Sequence, residues 1–482
     1  MLTTMKKVGA EILLLTVALP GWLAGCTLTP AADVPEVVKR IGSEESFDSA
    51  AAAEADDVAG WWRRIGGDEL DTMVASLRKD SPVLKEARSQ ALQATERAIQ
   101  AGAPRTPSIG YSVETLRSRS PDFSGAFSWT ESYSAGFNAG FETDVFGGLR
   151  ANERAAKLAS IAAELSYQAT EQLEIARLSR NWVSATTLRS HLALAATTAE
   201  SLRDTYELTA ARFRAGSRNT TASDVLIARQ NLDSALVDIP ELQIQLRKQL
   251  LVIDEQLARS PGDSQRQIVS TNLPDPRATA PVGNPASLLT NRPDVAAAEL
   301  RYRAALEDVG AARASLFPAI SLTAAVTLQG ESPGDFSWGD YIGSLSQSLT
   351  GPLFQGGRLR SQVRLEQAEA DELATAYART ALAAITDAEI ALTELAGLRD
   401  QLARAKTAVE TSRKSNDLAR NRYRQGLSSI LVVLETQRSL DNAQLALILI
   451  KQALLNAEID LFLSMGGDWT GIESEASAGD SL

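Results

Sequence analysis

The chain has very few of the side chains that enzymes use for nucleophilic, acid–base or metal chemistry. Its 482 residues contain one histidine, His191, and one cysteine, Cys26. A CxxC redox pair and a zinc site of cysteine and histidine ligands are therefore excluded, and no glycine-rich phosphate loop occurs. Only four methionines are present, so no methionine-rich relay for a soft metal is visible. We predict that the protein is not an enzyme, binds no cofactor or metal, and carries His191 as a solvated helix residue.

Basic residues are outnumbered and do not cluster. Lysine and arginine total 48 against 60 aspartate and glutamate residues, giving a formal charge of −12. Without a basic stripe, nucleic acid is not expected as a partner. An acidic surface suits solubility and the passage of cations.

The first 26 residues have the layout of a bacterial lipoprotein signal. Two lysines precede a mostly apolar run that ends in the sequence LAGC, in which the cysteine is Cys26. The run is too short to span a bilayer comfortably. We predict that residues 1–25 are a signal peptide and that Cys26 carries a covalent lipid, whose several acyl chains give stable anchoring. Thr27, at a position where inner-membrane lipoproteins often have aspartate, favours the outer membrane.

An internal repeat organises the remaining sequence. The segment RFRAG at 212–216 recurs as RYRQG at 422–426, and PSI at 107–109 recurs as PAI at 318–320. A three-residue insertion in the first half then aligns Gln230 with Gln437. Each half is predicted to contain a medium helix, two strands, a very long helix, a glycine turn and a second long helix. The predicted boundaries are an N-terminal segment at 26–66, repeats at 67–259 and 285–466, a linker at 260–284 and a tail at 467–482.

The predicted strands alternate apolar and polar residues with a period of two. The alternation runs from Phe127 to Val145, where only Glu131 interrupts the apolar face. Shorter stretches at 109–113 and 320–328 alternate likewise, and a weaker fourth strand is expected near 341–353. An ordinary half-buried sheet has the same period. Strands of about ten residues with aromatic ends also fit a transmembrane barrel.

The predicted helices carry a heptad pattern. Apolar residues recur every seven positions from Ala374 to Val409, with a companion series three places away, as expected for a coiled-coil seam. One helix is expected from about 152 to 215, and Pro240 should kink the following helix or break one of its hydrogen bonds.

Four strands cannot close a membrane barrel, whereas three copies would supply twelve. The strand count therefore predicts a trimer.

Two stretches then identify a family. RPDV at 292–295 running on to AARASLFP at 311–318, and GPLFQGGR at 351–358, resemble the TolC-like outer-membrane efflux proteins, specifically their NodT or OprM-type lipoprotein branch. The resemblance covers nearly all of the chain after Cys26 and implies a mixed α and membrane-β fold. It implies a homotrimer in which four strands per protomer form a shared 12-stranded barrel that continues into a long coiled-coil α-barrel. It also implies docking to a periplasmic adaptor and an inner-membrane transporter of the resistance-nodulation-division class.

The same resemblance implies specific site residues. Gly216 and Gly426 would lie at the periplasmic helix turns, and Leu431 and Glu435 would form the periplasmic gate. Val432 stands where some members have a second acidic residue.

Some members also join neighbouring coils through a tyrosine–aspartate hydrogen bond. Tyr423 and Asp224 occupy those positions here, and Ser428 replaces an arginine that assists the bond in those members.

The function expected from these features is the exit duct of a tripartite efflux pump for drugs or other small molecules. Two alternatives remain at this point. One is a duct of a type I protein-secretion system, and the other is a lipid-anchored coiled-coil protein without a pore. The alternating strands argue against the latter, because a spacer has no use for them.

Overall fold

The fold is mostly helical and contains one four-stranded antiparallel sheet, as the sequence predicted. The computed structural model describes residues 28–43, 60–121, 123, 125–275 and 285–466. The predicted signal peptide at 1–25, the predicted lipidation site Cys26, the predicted tail at 467–482, and parts of the N-terminal segment and the linker lie outside these residues. Among the helices of the described ranges, none combines the length and hydropathy needed to cross a bilayer.

Within the described ranges, ten α-helices and four strands follow one another in chain order. The helices are α1 (Glu36–Ile41), α2 (Trp62–Asp80), α3 (Pro82–Gly102), α4 (Gly148–Arg214), α5 (Ala222–Gln256), α6 (Asp263–Gln267), α7 (Pro285–Asn291), α8 (Pro293–Ala314), α9 (Arg358–Arg424) and α10 (Ile430–Ser464). The strands are β1 (Ser108–Pro121), β2 (Phe127–Thr143), β3 (Ala319–Gly330) and β4 (Ile342–Thr350).

The predicted repeat is visible in the lengths of the helices. Helices α4 and α9 each contain 67 residues, and the return helices α5 and α10 each contain 35. A 67-residue helix is about 100 Å long at 1.5 Å per residue.

Helix α4 begins at Gly148, four residues before the predicted start, because Asp144 caps its first turn. The Asp144 carboxylate accepts hydrogen bonds from the backbone N–H groups of Leu149 and Arg150, at 2.9 and 2.8 Å.

The described residues divide into two compact units. The first contains the described parts of residues 1–35, 90–164 and 297–377, and the second contains those of 36–89, 165–296 and 378–482. The first unit holds the whole sheet and a small cluster in which Tyr302, Leu306 and Val309 of α8 pack against Ala370 of α9. The second unit holds both helix turns.

The sheet has the order β1-β2-β3-β4, with every neighbouring pair antiparallel. Its register places Tyr111 opposite Phe137 and Phe137 opposite Val326, so these three side chains share one face. We call this the apolar face; it also carries Ile109, Val113, Trp129, Phe141, Leu322, Leu345 and Leu349. Serine, threonine and asparagine dominate the opposite face. The predicted two-faced strands are confirmed.

The strand ends differ from the prediction in two places. Strand β2 stops at Thr143 rather than Val145, because Asp144 is used as the cap of α4 and Gly147 turns the chain at a φ of 76°. Strand β1 continues to Pro121, eight residues beyond the predicted alternation, since it pairs with β2 along its full length. Leu116 breaks the alternation there, which explains why the sequence pattern ended early.

The core of the second unit is built around two tryptophans that open α2. Trp61 and Trp62 are buried, and the Trp61 ring stacks on Phe462 with 5.5 Å between centroids. Along α9 the predicted seam is also buried at Ala381, Ala384 and Ala388. Small side chains let the neighbouring helix approach closely. Helix α5 continues through Pro240, whose ring nitrogen cannot donate a backbone hydrogen bond.

Candidate functional site

Both helix turns of the second unit are closed by a glycine in a left-handed conformation. At the first turn Gly216 has a φ of 71°, and the Ser217 N–H donates to the Arg212 carbonyl at 3.1 Å. At the second turn Gly426 has a φ of 79°, and the Leu427 N–H donates to the Arg422 carbonyl at 2.9 Å. A residue with a Cβ is strained at such angles, so glycine is the natural helix terminator here.

The return helices begin differently. Helix α5 has a complete capping box: the Asp224 N–H donates to Thr221 Oγ1 at 3.2 Å, and the Thr221 N–H donates to the Asp224 carboxylate at 2.7 Å. Helix α10 follows Ser429, whose side chain makes no capping hydrogen bond. The free backbone N–H groups in the first turn of α10 therefore receive no hydrogen bond from the Ser429 side chain.

Leu431 and Glu435 lie one helical turn apart on the exposed side of α10. The Leu431 side chain is 57% exposed and that of Glu435 is 65% exposed. Ile430, Val433 and Leu434, on the other side of the helix, are buried in a cluster with α4, α5 and α9. Val432 is exposed as well. The helix thus packs through one side and presents the two predicted gate residues on the other.

Glu435 has a partner that the sequence analysis missed. The Arg438 guanidinium donates a hydrogen bond to the Glu435 carboxylate and forms an ion pair with it. The three-residue spacing on one helix is the signal that would have identified the pair. The arginine offsets part of the negative charge that Glu435 brings to this surface.

Tyr423 and Asp224 each have partners within the chain. Tyr423 is 4% exposed, and its hydroxyl lies 2.9 Å from Thr209 Oγ1. The Arg212 guanidinium stacks over the Tyr423 ring at 4.6 Å from the centroid. The Asp224 carboxylate is used in the cap of α5. A bond between Tyr423 and Asp224 of neighbouring coils stays a prediction.

Behind the gate residues, Gln437 connects α10 to two other helices through a set of polar contacts that we call the polar junction. Gln437 Oε1 accepts hydrogen bonds from Ser201 Oγ of α4 at 3.1 Å and from Asn416 Nδ2 of α9 at 3.0 Å. Gln437 Nε2 donates to Asp441 Oδ1 at 2.9 Å, and the same oxygen accepts from Thr198 Oγ1 at 2.9 Å. Asn416 and Gln437 are 3% and 7% exposed. The junction is therefore mostly buried and nearly all its polar atoms are paired.

The heptad pattern contained a signal for this junction. The seam that runs from Ala374 to Val409 in steps of seven reaches Asn416 at its next step. A single polar residue at such a position fixes the register of a coiled coil at a cost in stability. Asn416 is thus an interruption of the apolar seam where it meets the gate helix.

His191 lies in helix α4, as the sequence suggested, and is partly exposed. It is half-buried and lines a groove of about 410 Å³ together with Asp238, Asn231 and Asp441. Burial lowers the pKa of His191, and the nearby Asp238 carboxylate acts in the opposite direction. Burial also raises the pKa of Asp441, against the effect of its hydrogen bonds from Thr198 and Gln437. The groove lies beside the polar junction and shares Asp441 with it.

Comparison with known proteins places this arrangement in a family. The model of the family described as outer membrane efflux protein matches residues 73–259 and 284–467. The pyoverdine export outer membrane protein OpmQ of Pseudomonas aeruginosa is 30% identical over 444 residues, which cover 89% of this chain and 91% of OpmQ. The outer membrane protein OprJ of the same species is 29% identical, over 96% of this chain and 97% of OprJ. A solved structure of the outer-membrane channel OprN, 24% identical, superposes with a TM-score of 0.84 and covers 92% of this chain and all of that one.

Proposed function

The chain belongs to the outer membrane efflux protein family, and from that premise we propose that three copies of it form the exit duct of a tripartite pump. The protein is an outer-membrane efflux channel. The proposal adds its assembly, its gate, its lipid anchor and its partners. The observation that carries the proposal is a sheet that is incomplete within one chain.

Both edges of that sheet are open. Within the described residues, strand β1 pairs only with β2 and β4 pairs only with β3, so each has one edge that no other described strand covers. In a bilayer every backbone N–H and C=O group needs a hydrogen-bonding partner, and open edges are not tolerated. Joining β4 of one copy to β1 of the next satisfies both edges, and three copies give a closed barrel of about twelve strands.

The two faces of the sheet fit the two sides of such a barrel. Large side chains of the apolar face, such as Tyr111, Leu345 and Leu349, are exposed in the single chain. Exposed apolar area of this extent suits contact with lipid. The face rich in serine and threonine would then line a water-filled interior.

Leu431 and Glu435 form the gate in this assembly. Around a three-fold axis, residues that lie one turn apart on α10 make two stacked rings, one apolar and one acidic. An apolar ring narrows a pore and resists wetting, while carboxylates favour cations over anions. The ion pair between Glu435 and Arg438 moderates that preference. The match of these positions to the family's gate and their exposure on α10 support the assignment.

Tyr423 and Asp224 hold neighbouring coils together near the same level. A tyrosine hydroxyl both donates and accepts. Thr209 Oγ1 donates to the Thr205 carbonyl at 2.7 Å, so within the chain Tyr423 gives its one proton to Thr209. In the assembly Tyr423 would exchange that bond for one to a carboxylate of another coil. Asp224 lies on the first turn of α5, where the bonds from Thr221 both go to its Oδ2. Its Oδ1 is the oxygen that such a donor would reach.

A lipid on Cys26 would attach each protomer to the outer membrane from the periplasmic side. The LAGC sequence supports this modification. A periplasmic adaptor and an inner-membrane resistance-nodulation-division transporter would deliver the substrate. OpmQ is named for the export of pyoverdine, a small molecule, which favours small-molecule efflux over the alternative of protein secretion.

Native mass spectrometry of the detergent-solubilised protein tests the assembly. We expect three copies of a chain that begins at a lipid-modified Cys26. A monomer that retains its full β content in detergent would contradict the shared barrel. An unmodified chain beginning at Met1 in membrane-inserted protein would contradict the lipid anchor.

A further inference from the structure

The apolar face of the sheet becomes positively charged near the β1–β2 hairpin. Arg117 lies opposite Glu131, and Arg119 lies opposite Trp129, all on this face. Arg117 Nε is 3.2 Å from Glu131 Oε1, and its guanidinium lies 4.8 Å from the centroid of Trp129. The Arg119 guanidinium lies over Phe127 at 5.1 Å and near Trp129 at 5.8 Å. Two arginines thus stack on aromatic rings beside a single carboxylate.

Such a group belongs at the level of lipid headgroups. An arginine on the lipid side of a strand is costly at the middle of a bilayer and costs little near its surface. Tryptophan and other aromatic residues concentrate at the same level. Stacking on a ring holds the guanidinium flat while leaving its N–H groups directed outward. With Glu131 engaging one nitrogen of Arg117, several donors of the pair remain for an anion.

The chain path indicates which side of the membrane this hairpin faces. At their other ends β2 and β4 lead into the long helices α4 and α9, which start at Gly148 and Arg358. In an outer-membrane channel with a periplasmic tunnel, these helices leave toward the periplasm. The hairpin therefore faces the exterior. This step rests on the proposed function.

The outer leaflet there is made of a glycolipid whose acylated disaccharide headgroup carries phosphates. We propose that Arg117 and Arg119, supported by Trp129 and Phe127, bind a phosphate of this outer-leaflet glycolipid. A planar guanidinium pairs with phosphate oxygens through two parallel N–H···O bonds. The ring contacts give the acyl and sugar portions an apolar platform at the same height.

The other hairpin serves as an internal contrast. On the apolar face, the corresponding ends of β3 and β4 carry Leu328, Gly330 and Gly343. The segment that joins β3 to β4 contributes three acidic residues, Glu331, Asp335 and Asp340, whereas the sequence that joins β1 to β2 contains one, Asp122. An anionic headgroup is therefore attracted to the β1–β2 hairpin and not to its neighbour. The proposal gives one site per chain.

Native mass spectrometry of the full-length channel with added lipid tests this site. The probes are diphosphoryl lipid A, its monophosphoryl form and phosphatidylglycerol. We expect one diphosphoryl lipid A per chain, weaker binding of the monophosphoryl form, and little retention of phosphatidylglycerol. The double variant Arg117→Gln with Arg119→Gln should weaken lipid A binding by at least tenfold. The matched control is Arg214→Gln with Arg218→Gln at the first helix turn, which removes the same charge and should leave binding unchanged.

Three results would overturn the site. These are equal binding by the Arg117/Arg119 variant and the parent, an equal loss in the Arg214/Arg218 control, or retention of phosphatidylglycerol as strong as that of lipid A. The same spectra report the oligomeric state. A trimer that ignores the arginine changes overturns only this proposal, whereas the absence of a trimer overturns the proposed function.

Discussion

The two helix turns are built from the same parts, yet they hold their return helices in different ways. Each turn follows a 67-residue helix, contains a glycine in the left-handed conformation and leads into a 35-residue helix. The first return helix is secured at its start by the Thr221–Asp224 capping box. The second has no side-chain cap at Ser429 and is secured a turn or two further on, through Gln437.

From this difference we expect the second turn to be the more mobile of the two. Gln230 is aligned with Gln437 by the repeat, but Gln230 is exposed on α5 whereas Gln437 is buried among three helices. A polar junction can exchange its partners for water when helices separate, at a lower cost than a closely packed apolar seam. The helix that carries Leu431 and Glu435 is therefore the one whose attachment is most suited to opening.

The largest effect is expected from changing the gate residues. Leu431→Ser with Glu435→Ala removes the apolar ring and the charge while leaving the buried side of α10 intact. Because a wider, wetted constriction no longer excludes large solutes, cells expressing this variant should become sensitive to vancomycin. Antibiotic susceptibility measures the change. Unaltered susceptibility in cells with normal amounts of assembled channel would place the barrier elsewhere.

The polar junction should give the next largest effect. Gln437→Leu removes the hydrogen bonds of Gln437 to Asn416 and Asp441, although Asp441 keeps its bond from Thr198. We expect a loss of about 2 kcal/mol, which corresponds to roughly thirtyfold faster amide exchange. We expect that acceleration in the first half of α10, measured by hydrogen–deuterium exchange. The matched change Gln230→Leu on exposed α5 should have almost no effect. Similar acceleration in both variants would remove the distinction between the two turns.

Substitutions at and around Tyr423 can distinguish its hydrogen bond within the chain from a hydrogen bond to a neighbouring coil. Tyr423→Phe and Thr209→Val each remove their shared hydrogen bond, and each should destabilise the coil by about 1 kcal/mol, without adding in the double variant. If Tyr423 also reaches Asp224 of a neighbouring coil, only Tyr423→Phe and Asp224→Asn should raise the conductance of the assembled channel. Equal conductance of all three single variants and the parent would argue against the inter-coil bond.

The smallest expected effect concerns the helix starts. Thr221→Ala removes the cap of α5 and should cost about 1 kcal/mol, or roughly fivefold faster exchange over residues 222–226. Ser429→Ala should leave exchange at the start of α10 unchanged, because Ser429 makes no capping bond. A comparable acceleration from Ser429→Ala would mean that α10 is capped in the working channel.

Most of the fold could be read from the sequence because its periodicities are long and regular. The period of two from Phe127 onward fixed which side chains share a face of β2, and the register with β1 and β3 agrees with it. Glu131, the one exception on that face, proves to be paired with Arg117 across the strands. Strand ends were less predictable, because Asp144 serves as a helix cap rather than a strand residue.

The candidate site was only partly predictable. Leu431 and Glu435 follow from the family resemblance and lie together on one exposed side of α10. The partners of the site escaped sequence reasoning, since the pairing of Tyr423 with Thr209 and of Gln437 with Ser201 joins residues more than 200 positions apart. The groove beside His191 was not predicted either, because nothing in the local sequence reveals that α5 and α10 form it with α4.

The most direct test of the account is the single-channel conductance of purified trimers in planar bilayers, compared between the two turns. Leu431→Ser with Glu435→Ala alters the second turn, and Leu226→Ser with Gln230→Ala alters two exposed residues with the same four-residue spacing at the first. The account predicts a several-fold rise in conductance and a reduced preference for cations in the second-turn variant alone. Equal conductance in the two variants, with both assembled as trimers, would contradict a gate on α10.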